Sequence, residues 1–158
     1  MDLDLRGRCA LVTGASSGIG QGIAVALAGE GVRLAISARS CEALAQTAEM
    51  ISAAGAPEAV KLQADLTKPE EGDRPAASVL ETLSRLDILV GNAGGWRPLA
   101  DWNDEETWEE AFALNFTSAR RLTHLLVERI TASGNGRIIV VTGSTTTRVA
   151  NAASPAKA

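Results

Sequence analysis

The sequence predicts an α/β fold, a doubly wound parallel sheet of five strands in the order 3-2-1-4-5. Three observations predict it. Short apolar runs alternate with helical patterns from Cys9 to Val141, the signature of βαβ units and a parallel sheet. Those runs are apolar at successive positions, as strands covered by helices on both faces require. The first run also leads straight into a glycine-rich turn and a helix, the arrangement found where such a sheet reverses its strand order.

Each element follows in turn. Cys9 to Val12 reads as the first strand and Ile19 to Ala28 as the first helix; Val32 to Ser37 is the second strand. The second helix, Cys41 to Ala54, is stopped by Gly55 and then Pro57, which cannot continue it. Ala59 to Ala64 is the third strand, Lys68 to Pro75 a surface loop, and Pro75 to Leu83 a helix. Asp87 to Val90 is the fourth strand, and Arg137 to Val141 the fifth. Between them one long helix is expected from Asp104 to Thr131, capped by Asn103. Asp104 to Glu106 lie at its positive end and Arg129 near its negative end. Trp108, Phe112, Ala119, Leu122 and Leu126 recur on it at helical spacing and read as its core face. Apolar positions off that stripe, such as Leu125, leave room for a partner helix, so a homo-oligomer built through 104–131 is expected.

Composition narrows the function classes. The 158 residues are 46% hydrophobic and 22% charged, with a formal net charge of −4. This is ordinary globular usage in a chain of one domain. No broad basic field is present, so nucleic acid is not an expected partner. No apolar run approaches the roughly 20 residues that span a bilayer, and the first residues, Met1 to Arg6, lack a signal-peptide pattern. A cytoplasmic protein is expected. Cys9 and Cys41 have no ligand spacing and one His offers no cluster, so no metal site is expected and both cysteines read as reduced packing residues.

The chemistry begins at Thr13-Gly14-Ala15-Ser16-Ser17-Gly18-Ile19-Gly20. Gly14 suits a tight turn, Gly18 lets the backbone approach a pyrophosphate, and Gly20 lets helix pack on strand. The N–H groups at the start of the helix, with its dipole, suit phosphate. The tip of the second strand then selects the dinucleotide. An acid there would hold the ribose 2′-OH of NAD and repel a 2′-phosphate. This chain has Ser37-Ala38-Arg39-Ser40, and Arg39 suits a phosphate through paired charge-assisted bonds. Ser16 and Ser40 offer further hydroxyls. NADP(H) is the expected cofactor, with NAD less favoured.

The spacing GxxxGxG resembles the short-chain dehydrogenase/reductase family, and the resemblance continues along nearly the whole chain. Asp65-Leu66 resembles the family's adenine-contacting pair. Asn92-Ala93-Gly94 resembles its Asn-Ala-Gly motif beside the cofactor, and Asn115 its catalytic asparagine. Gly136 to Val141 resembles the strand leading to its catalytic serine. The resemblance implies a Rossmann-like fold and hydride transfer between a nicotinamide and a carbonyl or alcohol substrate. Gly14, Ser16, Ser17, Gly18, Ile19, Gly20, Arg39, Asp65, Leu66, Asn92, Ala93 and Gly94 would hold the cofactor.

The departures from the family pattern concern the proton. The family uses a tyrosine and a lysine four residues later, and this chain has no tyrosine. Lys157 resembles that lysine, which puts Ala153 in the tyrosine's place. Gly143 falls in the serine position, with Ser144 one place on. Asn115, Ser144 and Lys157 are therefore the catalytic candidates. One domain, 1–158, is expected, with the family's C-terminal elements missing and the frame ending early. A divergent enzyme and a non-catalytic nucleotide-binding protein or fragment both remain open.

Overall fold

The computed structural model describes residues 3–97, 101 and 103–143. Its elements are β1 (Cys9–Thr13), α1 (Gly18–Gly29), β2 (Arg33–Ala38), α2 (Cys41–Ala53), β3 (Val60–Gln63), α3 (Pro69–Gly72), α4 (Arg74–Thr82), β4 (Ile88–Gly91), α5 (Glu105–Phe112), a π turn (Ala113–Thr117), α6 (Ser118–Ala132) and β5 (Arg137–Val140). The strands form one parallel sheet in the order β3-β2-β1-β4-β5, as the pattern of runs predicts.

The sheet divides the core in two, because successive side chains on a strand point to opposite faces. Ala10, Val12, Leu34 and Ile36 meet Ala24, Ala28, Leu44, Ala48 and Ile51 of α1 and α2. Cys9, Leu11, Ala35 and Leu89 meet Val79 of α4, Leu83, and Leu122, Leu126 and Ile130 of α6. At the amino ends of the central strands Asp87, 1% exposed as a side chain, gathers the neighbouring strands. Its carboxylate accepts from the Cys9 backbone N–H (2.9 Å), Arg8 Nη1 (3.3 Å) and Arg85 Nε (2.8 Å). Its carbonyl accepts from Arg137 N (2.8 Å).

Several expectations need correction. The helix expected over 104–131 is two helices joined by the π turn. A π turn takes in one extra residue, which rotates everything beyond it by about 100° relative to an unbroken helix. Leu122, Leu126 and Ile130 are therefore buried, while Phe112 is 57% exposed, and the stripe of core residues holds only beyond the turn. Asp104 caps the helix instead of Asn103, its carboxylate accepting from Thr107 N at 3.1 Å. The segment 68–75 is not simply loop. Pro69 pre-sets the first turn of α3, and Arg74 begins α4. Cys9 is buried as expected, but Cys41 is exposed at the start of α2. β5 is exposed along its length.

Replacing Asp87 tests the clamp at the strand ends. Burial opposes its charge, yet hydrogen bonds from Arg85, Cys9 N and Arg8 outweigh burial and hold the carboxyl below its usual value. Asp87→Asn is expected to lower unfolding free energy by about 1.5–3 kcal/mol, the range for a charged hydrogen-bond partner. The unfolded carboxyl takes up its proton first as pH falls. The stabilisation is thus complete above about pH 4 and is lost below it, as pH drops toward the native value. Urea unfolding from pH 7 to 3 should show that acid loss in the parent chain and a weaker one in Asp87→Asn.

Candidate functional site

The site lies at the carboxyl ends of the strands, where connections from β1 and β4 leave in opposite directions. Thr13 ends β1, and its hydroxyl is fully used. It accepts from the backbone N–H groups of Asn92 and Ala93, both at 3.0 Å, and donates to the Val90 carbonyl at 3.3 Å. Asn92 returns the connection: its Nδ2 donates to the carbonyls of Thr13 (3.0 Å) and Gly14 (3.2 Å). The two strand ends are thereby tied without a side chain filling the space above them.

That approach dictates the glycines. Gly14 has φ +63°, and a Cβ there would sit 2.8 Å from the Ala93 Cα. A Cβ on Gly20 would collide with the Gly14 carbonyl oxygen and the Asn92 amide. Gly18 has φ +57° but open space around its Cβ direction, so its backbone angle alone calls for glycine. Ser17, at the helix start, is extended and makes no side-chain cap, and the first turn of α1 carries no acid. The N–H groups that begin α1 are therefore left for a ligand, at the positive end of the helix dipole. This is an anion cradle in its chemistry.

The loop is braced from behind by residues that the sequence reading missed. Ala15 N donates to the Ser37 carbonyl (3.1 Å), and Thr47 Oγ1 donates to the Ala15 carbonyl (3.0 Å). Gln21 Nε2 donates in turn to Thr47 Oγ1 (3.0 Å). The available signal was a threonine on the core-facing side of α2, where an apolar residue would otherwise stand.

Asn115 occupies the π turn. Its Oδ1 accepts from Gly95 N at 2.9 Å, and its Nδ2 donates to the carbonyls of Gly95 (3.1 Å) and Ala111 (3.0 Å). One side chain thus reads both backbone groups of Gly95 and satisfies a carbonyl released by the π geometry. Ser118 Oγ does the same for Leu114 at 2.6 Å.

A groove runs over these strand ends in two parts. On the β4–β5 side, Gly14, Ser17, Ile19, Asn92, Ala93, Gly94, Gly95 and Asn115, with Val141, Thr142 and Gly143, line a space of about 340 Å3. On the β2–β3 side, Ser16, Arg39, Ser40, Asp65, Leu66 and Leu114 join Gly14, Ser17, Ala93 and Gly94 around about 330 Å3. Gly18 and Gly20 shape the loop between them. Burial raises the pKa of Asp65, but hydrogen bonds from the Thr67 hydroxyl and backbone N–H, with the nearby Arg39 charge, bring it below the usual aspartate value. Asp65 is therefore a carboxylate at neutral pH. Ser40 Oγ accepts from Ala43 N at 3.2 Å, which leaves its proton free to donate. Ser144 and Lys157 lie outside the described residues. Among the described residues no group of His, Cys, Asp and Glu is placed to hold a metal.

A parallel sheet of this order, with a glycine loop and helix start at its switch point, defines a dinucleotide-binding α/β domain. The chain belongs to the short chain dehydrogenase family, whose pattern matches residues 8–156. It is 41% identical over 140 residues to the rhamnolipids biosynthesis 3-oxoacyl-(acyl-carrier-protein) reductase of Pseudomonas aeruginosa, covering 85% of this chain and 54% of that one. L-sorbose reductase from Gluconobacter frateurii, solved with NADPH and L-sorbose, superposes with a TM-score of 0.92 at 30% identity, over 99% of this chain and 60% of that one. A 7 alpha-hydroxysteroid dehydrogenase solved with NADH and 7-oxo glycochenodeoxycholic acid gives 0.85 at 31% identity, over 93% and 57%. The chain spans about half the length of the curated relatives it matches, for example 59%, 54% and 52% of three of them.

The tie between β1 and β4 has a direct test. Thr13→Val keeps the shape and removes the hydroxyl, leaving the Ala93 N–H group without its acceptor, while Asn92 N keeps the Val90 carbonyl at 3.1 Å. Unfolding free energy is expected to fall by about 1–3 kcal/mol, read in urea at an unchanged m-value. A change under about 0.5 kcal/mol, the ordinary scatter of neutral substitutions, would mean that the hydroxyl does not hold the strand ends together.

Proposed function

We propose that this chain is the NADP(H)-binding part of an oxidoreductase that moves hydride between a nicotinamide and a small carbonyl or alcohol substrate. The observation that carries the reading is the groove itself. It spans the strand ends beside an uncapped helix N-terminus, with Arg39 at one end and Asn115 at the other. The glycine loop and the first N–H groups of α1 would hold the pyrophosphate. Arg39, with the Ser16 and Ser40 hydroxyls, would hold the 2′-phosphate. Asp65 and Leu66 would border the adenine, and Asn92, Ala93 and Gly94 would support the nicotinamide half. The bound nicotinamide would supply the hydride donor or acceptor.

Choice of NADP(H) over NAD(H) rests on the tip of β2. Ala38 stands where an acid would repel the extra phosphate, and Arg39 follows it on the groove wall. Both NADPH and NADH occur in the similar solved structures, so the proposed preference rests on the side chains at this tip alone. Asn115, Ser144 and Lys157 are the proposed catalytic residues, with Asn115 holding the Gly95 backbone in place. The absence of tyrosine from the sequence favours a second reading, a nucleotide-binding protein without turnover. A serine hydroxyl is a much weaker proton donor than an activated tyrosine, and acid–base assistance is worth 10²–10⁴-fold in rate.

The remaining proposals are a cytoplasmic location and self-association through α5 and α6, where Phe112, Phe116, Leu125 and Val127 are exposed. No helix among the described residues is long and apolar enough to cross a membrane.

Titration of NADPH and NADH by fluorescence at one salt concentration tests the cofactor. NADPH should bind more tightly, and Arg39→Ala should weaken it by about 10- to 150-fold while leaving NADH nearly unchanged. This is the loss of a charge-assisted hydrogen bond. Equal affinities in the parent chain would overturn the NADP(H) assignment. NADPH oxidation against aldehydes and ketones then separates the two readings. Turnover abolished by Lys157→Ala identifies an oxidoreductase working without tyrosine, and tight binding without turnover overturns the proposed catalytic roles of Ser144 and Lys157 in this chain.

A further inference from the structure

Thr47 stands on the core-facing side of α2, buried with Leu44, Ala48 and Ile51, and is 0% exposed. Valine would fill nearly the same volume there with no polar atom to satisfy. The hydroxyl has one proton to donate and two carbonyl oxygens at 3.0 Å, those of Ala15 and Ala43. Ala43 lies within α2, whose backbone ladder already serves its carbonyl. Ala15 is itself 0% exposed, and its carbonyl accepts no other hydrogen bond among the described residues. Leaving a buried carbonyl unpaired costs more than a second bond to a satisfied one gains, so the proton belongs to Ala15. Gln21 Nε2, donating to Thr47 Oγ1 at 3.0 Å, holds the hydroxyl from its other side.

That bond fixes a direction as well as a distance. The Ala15–Ser16 peptide is trans, as are all peptide bonds among the described residues. A planar trans peptide points its C=O and N–H to opposite sides. With the Ala15 carbonyl drawn toward α2, the Ser16 N–H is turned away from it. Ser16 borders the β2–β3 half of the groove, together with Arg39 and Ser40, and its N–H has no acceptor among the described residues. A fixed N–H donor on the same wall as a guanidinium suits a bound oxyanion. Without the Thr47 hydroxyl, the Ala15 carbonyl would gain by rotating toward water on the groove side. The same rotation would turn the Ser16 N–H away and set a carbonyl lone pair against the anion.

We propose that Thr47 is a positioning residue for the cofactor phosphate, which from inside α2 turns the Ser16 N–H toward an anion held beside Arg39. Gln21 assists by holding the Thr47 hydroxyl in that orientation. This rests on the reading of the groove as an NADP(H) site. Selectivity for the 2′-phosphate is then set in part by a residue sealed in the core, with no contact to the ligand.

The test is calorimetric titration of NADPH and NADH into the parent chain, Thr47→Val, Thr47→Ser and Gln21→Met. The parent chain should prefer NADPH. Thr47→Val should weaken NADPH by about ten-fold or more, the loss of a charge-assisted hydrogen bond, and NADH by less than about two-fold. Thr47→Ser, which keeps the hydroxyl, should bind both cofactors as the parent does. Gln21→Met should weaken NADPH by about two- to twelve-fold, one neutral hydrogen bond, and leave NADH nearly unchanged. A merely structural threonine would weaken both cofactors alike when replaced by valine, and that result overturns the proposal. So does an NADPH preference that survives in Thr47→Val, or one that Thr47→Ser fails to restore. Should Thr47→Val not melt cooperatively, Gln21→Met decides, and an unchanged preference there overturns the proposal. Equal affinities of the parent chain for the two cofactors overturn the NADP(H) reading, and the proposal with it.

Discussion

β1 and β4 are adjacent in the sheet, yet the chain must leave their carboxyl ends in opposite directions, and the Thr13–Asn92 contact is what lets it do so. Parallel strands end with carbonyl and N–H groups that no further ladder bond will satisfy. Here one hydroxyl and one carboxamide satisfy five of them and hold the two exits together. Nothing larger than glycine then fits at 14 or 20, and the start of α1 is drawn against the strand ends with its N–H groups facing outward. The anion cradle, the groove and the lining of both its halves all follow from that close approach.

The tie also explains why so much of the site was legible in the sequence. Glycine at 14, 18 and 20 after an apolar run is a backbone requirement written directly in residue types, and the order of helices and strands follows from hydrophobic period. What was not legible depends on hydrogen-bond register or on neighbours distant in sequence. The π turn changes no residue type, so the stripe from Trp108 to Leu126 reads as one continuous face when it is two. Asn103 and Asp104 are both good caps, and only backbone geometry selects the second. Thr47 reads as a core position of α2 until its hydroxyl is seen on the Ala15 carbonyl. Cys41 reads as packing, but the first residue of α2 is exposed, its thiol donating to Gln63 Oε1 at 3.0 Å.

Charge is distributed along the groove with similar economy. Asp65 is kept ionised by its own local turn, through Thr67, and Arg39 stands across from it. The acid therefore sits on the β3 side, clear of the tip of β2. An acid at the end of β2 would hold a ribose 2′-hydroxyl and repel a 2′-phosphate. The sheet order places these two strand ends side by side at an exposed rim, apart from the core beneath.

The π turn has a consequence for what the two helices face. Because it breaks the phase between α5 and α6, the residues that Trp108 and Phe112 represent are not bound by the packing rules that govern Leu122, Leu126 and Ile130. The outward face of α5, where Phe112 is exposed, is uncoupled from the packing of α6, while Asn115 stays fixed at the joint. A single extra residue in a helical turn thus turns two stretches of one helical segment toward different surroundings.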